Sequence, residues 1–230
     1  MEARSPEFRR PVLKDSLLTR AQGRLEIRSP GEEGDGPVWA EFVEGRTGWR
    51  LRNAGRGQSI ARAVGLKKGK TPPRVVDATA GLGRDAALLA VLGCQVIAVE
   101  RSPEVHALLL DGLRRALVDP ELGPALGGIE LLLGDAALLI PEMDPGPEVV
   151  LVDPMHPDRG NRAKVRKEMR ALRHVVGEDT DAGELAEVAR AWARDRVVIK
   201  RPAKAPPLLG GPSFQVGGKT VRFDVYLRDE

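Results

Sequence analysis

The chain has 230 residues, of which 42% are hydrophobic and 30% are charged, and it carries a formal net charge of +3. This composition supports a buried core and excludes a chain that is disordered throughout. One cysteine, Cys94, and three separated histidines provide neither an intrachain disulfide nor the ligand spacing of a zinc site, so we expect no metal. No apolar run approaches the roughly 18–20 residues of a membrane span. The N-terminus also lacks the apolar segment of a signal peptide, and we therefore predict a cytoplasmic protein.

The hydrophobic pattern divides the chain into two regions. Residues 1–70 are predicted to form a small N-terminal α+β region, and residues 71–230 a larger domain. In the first region we predict strands at Arg24–Arg28, Val38–Val43 and Trp49–Arg52 and a helix at Gln58–Val64. The tryptophans are predicted to pack in the core or between the two regions, namely Trp39, Trp49 and Trp192.

The larger region alternates strand and helix patterns. Strands are predicted at Val75–Ala78, Val96–Val99, Ile129–Leu133, Val149–Val152 and Val197–Lys200. Helices are predicted at Asp85–Leu92, Pro103–Val118, Lys164–Val175 and Ala182–Ala193, and a hairpin at Gln215–Leu227. This alternation is typical of an α/β protein with a Rossmann-like, doubly wound and mostly parallel sheet, here ending in an antiparallel hairpin.

A glycine-rich loop joins the first predicted strand of this sheet to the next helix. Asp77 ends the strand, and Gly81 and Gly83 follow it, which allows the backbone to approach a ligand closely. With Glu100 at the end of the second strand, the pattern also fits a dinucleotide site. A pyrophosphate favours a helix N-terminus without nearby carboxylates, whereas Asp77 and Asp85 flank this turn. The acids therefore favour S-adenosylmethionine, which carries a positive charge, over a dinucleotide.

The motif Asp153-Pro154-Met155-His156-Pro157 directly follows the predicted buried strand Val149–Val152. Its prolines end the strand, so we expect the Asp153 carboxylate at the carboxyl edge of the sheet, where open α/β sheets bind ligands. The same residues would also suit a plain β-turn that begins with aspartate. The motif resembles the Asp/Asn-Pro-Pro-Tyr/Phe loop of methyltransferases that act on exocyclic base amines. In such a site, Asp153 and the Pro154 carbonyl would accept the two N–H groups of the amine, and His156 would stack on the base.

Longer segments resemble the ribosomal RNA small subunit methyltransferase J family. They are Val75–Ala86, Glu100–Pro103, Asp153–Met155, Lys167–Arg170, Val198–Pro202 and Lys219–Tyr226, and the resemblance covers about residues 50–228. It implies a class I methyltransferase fold that transfers a methyl group from S-adenosylmethionine to the N2 amine of a guanine near the 3′ end of 16S rRNA. The chain differs from the usual family pattern at His156, where phenylalanine is common, and at Asp135-Ala136, where serines are common.

The candidate site residues come from these two sources. The pattern along the chain assigns to the cofactor Asp77, Gly81, Gly83, Glu100 and Asp135. The resemblance implies further cofactor contacts by Arg84, Asp85, Arg101, Ala136 and Asp153. The catalytic candidates are Asp153, Pro154 and His156. The basic residues expected to bind RNA are Arg159, Arg162, Lys164, Arg166, Lys167, Arg170, Lys200, Arg201 and Arg222, although a solvated helix surface is the alternative for the segment after the motif.

Three classes of function fit the sequence. The first is an RNA guanine-N2 methyltransferase, a monomer whose partner is the small-subunit rRNA or the 30S subunit. The second is a non-catalytic RNA-binding assembly factor that retains a cofactor fold. This alternative stays open because histidine occupies position 156, where phenylalanine is common in the family. The third, an NAD-dependent dehydrogenase, is supported only by the glycine pattern and Glu100, and it lacks an obvious Tyr-Lys or His pair beside the site.

Overall fold

The computed structural model describes residues 18–28, 36–154, 181–218 and 220–228. Its first elements are an antiparallel hairpin, β1 (Leu18–Ala21) and β2 (Arg24–Ile27), and two helices, α1 (Gly45–Arg52) and α2 (Ser59–Ala63). The predicted strand at Trp49–Arg52 is therefore wrong. The predicted strand at Val38–Val43 is reduced to a single bridge between Val38 and Ile27.

Helix α1 forms where the alternation of residues predicts a strand, because a glycine permits a close backbone contact. A Cβ atom on Gly48 would lie 1.9 Å from the carbonyl oxygen of Val43, so a larger residue does not fit there. Leu51, one turn later, is buried on the same inner side of the helix. The turn before the helix is fixed by the Glu41 carboxylate, which accepts hydrogen bonds from the three backbone N–H groups that follow it.

The tryptophans differ in their surroundings. Trp39 is partly buried, and the Arg24 guanidinium covers its ring at 3.6 Å from the ring centre. Trp49 and Trp192 expose 66% and 45% of their surface. The prediction that they pack in the core is therefore wrong for these two residues.

A seven-stranded sheet forms the centre of the described part of the chain. Its strands are β3 (Arg74–Asp77), β4 (Gln95–Glu100), β5 (Glu130–Leu133), β6 (Val149–Val152), β7 (Arg196–Pro202), β8 (Phe214–Gly217) and β9 (Val221–Leu227). Their order across the sheet is β5-β4-β3-β6-β7-β9-β8. The first five strands in this order are parallel, and β9 is antiparallel to both of its neighbours. The predicted doubly wound sheet with an antiparallel C-terminal hairpin is confirmed.

The helices of the larger region cover both faces of this sheet. They are α3 (Arg84–Val91), α4 (Pro103–Ala116), α5 (Gly123–Leu126), α6 (Ala136–Leu139), which a 3-10 turn at Ile140–Glu142 extends, and α7 (Ala182–Trp192). Val75 and Leu151 lie in a core shared with α3 and α4, whereas Val150 and Ile199 lie in a second core with α7. Neighbouring residues of β6 thus face opposite cores, which explains its unbroken aliphatic sequence. The predicted helix at Lys164–Val175 lies outside the described residues, and among the described ones no helix is long and apolar enough to cross a membrane.

Segments before residue 70 share the first of these cores. Phe42 is 1% exposed, and its ring lies near the backbone of Gly83 at the start of α3 and of Gly112 in α4. A Cβ atom on either glycine would lie 3.2 or 3.1 Å from this ring. The division of the chain at residue 70 stays a prediction, but the two regions bury their apolar residues against each other.

The hairpin β8–β9 is held to β7 by buried charges. Arg222 is 8% exposed, and it donates to both carboxylate oxygens of Asp224 at 2.7 and 3.0 Å and to two carbonyl oxygens. Arg201 is 7% exposed and donates to the carbonyl of Pro206. This burial argues against the predicted RNA contacts of Arg201 and Arg222, whose guanidinium groups stabilise the hairpin instead.

The sheet creates a crevice at one point of its carboxyl edge. Strands β4 and β5 lie on one side of β3 in the sheet, whereas β6 and β7 lie on its other side. The order of the strands therefore reverses between β3 and β6. Loops that leave adjacent parallel strands in opposite directions leave space between them, and open α/β sheets bind their ligands there. The Gly81 loop follows β3 and the Asp153 motif follows β6, which brings both predicted motifs to this point.

Replacement of Phe42 by alanine is expected to lower the free energy of unfolding by about 3–5 kcal/mol, because a buried ring leaves a cavity. Urea unfolding followed by circular dichroism should show one shifted transition, since both regions share a core. Phe214, 39% exposed, provides the control, and Phe214→Ala should cost about 1 kcal/mol. Two separate transitions in the unaltered protein would contradict the shared core.

Candidate active site at the carboxyl edge of the sheet

A hydrogen bond joins the two loops that form the crevice. The backbone N–H of Asp153 donates to the Thr79 hydroxyl at 2.7 Å. Thr79 belongs to the glycine loop after β3, and Asp153 is the first residue after β6. The two motifs, 74 positions apart in the chain, are therefore fixed relative to each other by a direct contact.

Glu100 organises the glycine loop. One of its carboxylate oxygens accepts from the N–H of Gly81 at 2.8 Å, and the other accepts from the N–H of Ser102 at 2.7 Å. Gly81 and Gly83 have φ angles of +54° and +72°, which favour glycine. At Gly81 a Cβ atom would meet only the Thr79 carbonyl, at 3.9 Å, so the backbone there faces open space. Glu100 thus holds an exposed stretch of backbone in place beside the crevice.

A pocket lies between these loops and α7. Its described lining combines apolar side chains with acids and comprises Ala78, Thr79, Gly81, Val99, Glu100, Arg101, Val105, Gly134, Asp135, Ala136, Asp153, Pro154, Asp181, Ala182 and Leu185. Two of these residues fix the walls. Asp135 accepts from the N–H of Ala137 at 2.9 Å and so caps α6, and Arg101 forms an ion pair with Asp181 at 2.7 Å. Apolar walls with a few oriented carboxylates are typical of a small-molecule site for a cationic ligand.

A cluster of charges adjoins the pocket. Lys200 of β7 binds Asp85 at 2.7 Å and Asp153 at 2.6 Å, and Asp85 also meets the Arg50 guanidinium of α1 at 3.5 Å. Asp77, at the end of β3, is 2% exposed and accepts from the N–H of Thr79. Side chains from α1, β3, α3, β6 and β7 thus converge at the carboxyl edge.

The cluster shifts the ionisation of its members. Burial raises the pKa of Asp77 to about 7, and the negative charges of Asp85 and Asp153 act in the same direction. Burial also acts to raise the pKa of Asp85, but Lys200 and Arg50 outweigh it and hold that pKa below its usual value. For Lys200, burial is outweighed by the two carboxylates, which raise its pKa. Lys200 is therefore charged, and Asp77 is the acid of the cluster that titrates near neutral pH.

The predicted site residues fall into three groups. Most of the proposed cofactor residues line the pocket, namely Gly81, Glu100, Arg101, Asp135, Ala136 and Asp153, together with the proposed catalytic Pro154. Asp77 and Asp85 belong to the adjoining charge cluster, while Gly83 precedes α3 and Arg84 opens it. A third group lies outside the described residues, namely His156, Arg159, Arg162, Lys164, Arg166, Lys167 and Arg170, whereas Lys200, Arg201 and Arg222 are described.

Lys200 occupies a different position from the one predicted. Instead of forming part of an open RNA-binding surface, it lies between Asp85 and Asp153, with 25% of its side chain exposed. Sequence reasoning also missed Thr79, Asp181 and Leu185 in the pocket wall. Thr79 could have been recognised, because it lies inside the glycine loop between Asp77 and Gly81. The others depend on contacts between distant segments.

Comparison with known proteins gives a consistent result. A family model of SAM-dependent methyltransferases matches residues 8–228. A ribosomal RNA small subunit methyltransferase J from Thioalkalivibrio sulfidiphilus is 45% identical, over 98% of this chain and 92% of the relative. A protein of the same name from Brucella anthropi is 50% identical, over 82% of this chain and 92% of the relative. The chain belongs to the ribosomal RNA small subunit methyltransferase J family.

The fold of the chain agrees with that of a solved relative. A SAM-dependent methyltransferase from Neisseria gonorrhoeae is 38% identical with a TM-score of 0.71, and the match covers 92% of this chain and 82% of that one. The class I methyltransferase fold is thereby confirmed, and the dehydrogenase interpretation is wrong. The cofactor of the family is S-adenosylmethionine. The pocket fits such a group for two reasons. Gly81 leaves its backbone accessible, and carboxylates line the pocket, which suits the positive charge of S-adenosylmethionine.

The substitution Asp77→Asn should change how the free energy of unfolding depends on pH. The pKa of Asp77 is about 7 in the folded chain and near 3.8 when unfolded, so the folded state holds an extra proton between these values. Ionisation of the buried Asp77 therefore lowers the free energy of unfolding as the pH rises from about 4 to 7. The free energy of unfolding of Asp77→Asn minus that of the unaltered protein should increase by roughly 2 kcal/mol between pH 5 and pH 8, as measured by urea unfolding. A constant difference would contradict the raised pKa, and the exposed Asp144→Asn serves as the control.

Removal of the Lys200 cation should destabilise the fold. Lys200→Met leaves Asp85 and Asp153 without their shared partner, which should cost about 2–4 kcal/mol in urea unfolding. Lys204→Met, at an exposed position, should change stability by less than about 0.5 kcal/mol. Adding Asp85→Asn to Lys200→Met should restore part of the lost free energy of unfolding, because the double variant has one unpaired carboxylate fewer. Additive losses in the double variant would contradict the coupling.

Proposed function

We propose that this protein transfers a methyl group from S-adenosylmethionine to the exocyclic N2 amine of a guanine near the 3′ end of 16S rRNA, in the cytoplasm. The names of the relatives carry the coarser part of this proposal, since they are small-subunit rRNA methyltransferases. The single observation that supports the chemistry is Asp153, held at the pocket wall by Thr79 and Lys200. The choice of guanine N2 follows from the resemblance of the Asp153 motif and the longer segments to the family.

The acceptor amine sets the chemical problem. The lone pair of an exocyclic amine is delocalised into the ring, so the nitrogen is a poor nucleophile. Asp153 and the Pro154 carbonyl would accept its two N–H groups and orient the nitrogen towards the pocket, where the bound cofactor presents its methyl group. As the new N–C bond forms, the bond from the methyl carbon to the cofactor sulfur would break and leave its electron pair on the sulfur, while the nitrogen would become positively charged and then lose one proton. The Asp153 carboxylate, next to that proton, is the proposed first acceptor. Orientation and local electrostatics of this kind contribute several kcal/mol.

The surrounding residues keep Asp153 in position. Its backbone N–H is bound by the Thr79 hydroxyl, and one carboxylate oxygen is bound by Lys200 at 2.6 Å. A neighbouring cation stabilises the negative charge of the carboxylate and limits its rotation. The Asp153 carboxylate would then bind the amine with Lys200 beside it.

The cofactor is proposed to lie along the pocket wall. Glu100 and Arg101, at the end of β4, would lie beside the ribose, and Asp135 and Ala136 beside the adenine amino edge. Asp85 would provide negative charge near the methionine part, and Asp77 would add to it when ionised. When bound, the cofactor supplies an electrophilic methyl group. His156 as the residue that stacks on the base, and the basic residues from Arg159 to Arg170 as RNA contacts, remain predictions.

The decisive experiment is methyl transfer to small-subunit rRNA in vitro, with mass spectrometry of the nucleosides. The unaltered protein should produce N2-methylguanosine. Asp153→Ala should lower kcat by about 10²–10³-fold with its S-adenosylmethionine affinity retained, because it removes an acceptor used in the transition state. Asp144→Asn, an exposed acid away from the pocket, should keep full activity.

Two outcomes would contradict the proposal. If the unaltered protein binds the cofactor and rRNA but methylates nothing, the alternative of a non-catalytic assembly factor is favoured. If Asp153→Ala methylates as fast as the unaltered protein, the proposed role of Asp153 is wrong, whatever base is modified.

A further inference from the structure

The outer side of helix α1 carries an exposed aromatic ring among basic residues. The helix contains three arginines and no acid. Trp49 and Arg50 follow Arg46 by three and four residues, so the three side chains share one side, opposite the buried Gly48 and Leu51. Arg52 does not belong to this side, because its guanidinium binds Asp119 and Glu121. We call the surface of Arg46, Trp49 and Arg50 the Trp49 face.

Nothing in the described part of the chain covers the Trp49 face. Trp49 exposes 66% of its surface, and its indole is the one large apolar side chain of α1 that is exposed among the described residues. The side chain of Arg46 is exposed, and none of the described residues binds it. The indole offers a flat aromatic surface and the guanidinium groups offer positive charge, a combination that suits a single-stranded nucleic acid.

The Trp49 face is attached rigidly to the reaction site. Arg50 contacts Asp85 at 3.5 Å, Asp85 binds Lys200 at 2.7 Å, and Lys200 binds Asp153 at 2.6 Å. The inner side of α1 is anchored, because Leu51 is buried in the core that the helix shares with α3 and α4. The face therefore holds a fixed position three contacts away from the proposed acceptor carboxylate.

We propose that the Trp49 face binds the substrate RNA beside the target guanine, with one base stacked on the indole of Trp49 and phosphates bound by Arg46 and Arg50. This inference rests on the proposed rRNA substrate and names a part of the protein that recognises it. Bases with exposed faces stack on tryptophan irrespective of their identity, and arginines bind the adjoining phosphates. A guanine whose amine reaches the pocket must leave its own stack, which separates its neighbours and leaves a base face free for Trp49.

Trp192 provides a matched control. It is also an exposed tryptophan, at 45%, and lies on a helix of the same domain. It ends α7 just before β7 begins, so it lies at the amino edge of the parallel strands, away from the site. A general effect of losing an exposed indole should thus appear in both Trp49→Ala and Trp192→Ala. A loss of RNA affinity should appear only in Trp49→Ala.

The test measures binding of a transcript from the 3′ end of small-subunit rRNA, together with methyl transfer. Trp49→Ala should raise the RNA Kd about tenfold, Trp49→Phe by less than about threefold, and Trp192→Ala not at all. Arg46→Gln should weaken binding and reduce the slope of log Kd against log salt by about 1. RNA should quench tryptophan fluorescence in the unaltered protein and in Trp192→Phe, but much less in Trp49→Phe. In methyl transfer, Trp49→Ala should raise KM for RNA and leave kcat and the S-adenosylmethionine affinity unchanged.

The outcomes separate this inference from the proposed function. Equal RNA affinities of Trp49→Ala and Trp192→Ala would overturn the Trp49 face even if the protein methylates rRNA. RNA binding that depends on Trp49 without any methylation would support the face and overturn the proposed reaction. A lower unfolding temperature for Trp49→Ala with unchanged RNA affinity would show that the indole packs within the chain or against a protein, and would also overturn the inference.

Discussion

The contact of Lys200 with two carboxylates is the interaction on which the site depends. Asp85, Asp153 and the buried Asp77 come from different elements, and at the carboxyl edge their charges would repel one another. One ammonium group from β7 compensates part of this charge and ties α3 and the loop after β6 to the sheet. The adjoining pocket adds the carboxylates of Glu100 and Asp135, which suits a positively charged cofactor. The same lysine thus serves the stability of the edge and the chemistry proposed for it.

Much of the architecture could be predicted because it depends on local patterns. Four consecutive aliphatic residues at Val149–Val152 indicate a strand buried on both faces, and the glycines after Asp77 indicate a turn towards a ligand. Parallel topology then brings the ends of β3 and β6 together without further information. The pairing of Lys200 with Asp85 could not be predicted, since these residues are 115 positions apart and either could have faced solvent. The burial of Arg201 and Arg222 was hidden for the same reason, because a guanidinium beside Asp224 looks in sequence like any surface charge.

The region before residue 70 shows where local patterns mislead. The alternation of Trp49 and Leu51 favours a strand, yet the close approach of Gly48 to Val43 selects a helix. This helix turns Trp49 outward, so a residue assigned to the core by its chemistry becomes the most exposed aromatic side chain described. Because Phe42 anchors the preceding segment between α3 and α4, α1 is supported by the same core as the sheet. The N-terminal part is therefore integrated with the domain and adds surface next to its reaction edge.

The hydrogen bond from Asp153 to Thr79 has a consequence for precision. One of the two loops is proposed to hold the methyl donor and the other the acceptor, and a 2.7 Å hydrogen bond from the backbone N–H of Asp153 to the Thr79 hydroxyl links them. Thermal displacements of either loop are then shared by its neighbour, so the gap between donor and acceptor varies less than the position of each. Mechanical coupling of this kind allows loops, which are ordinarily the softer parts of a fold, to keep a reacting distance that tolerates little error.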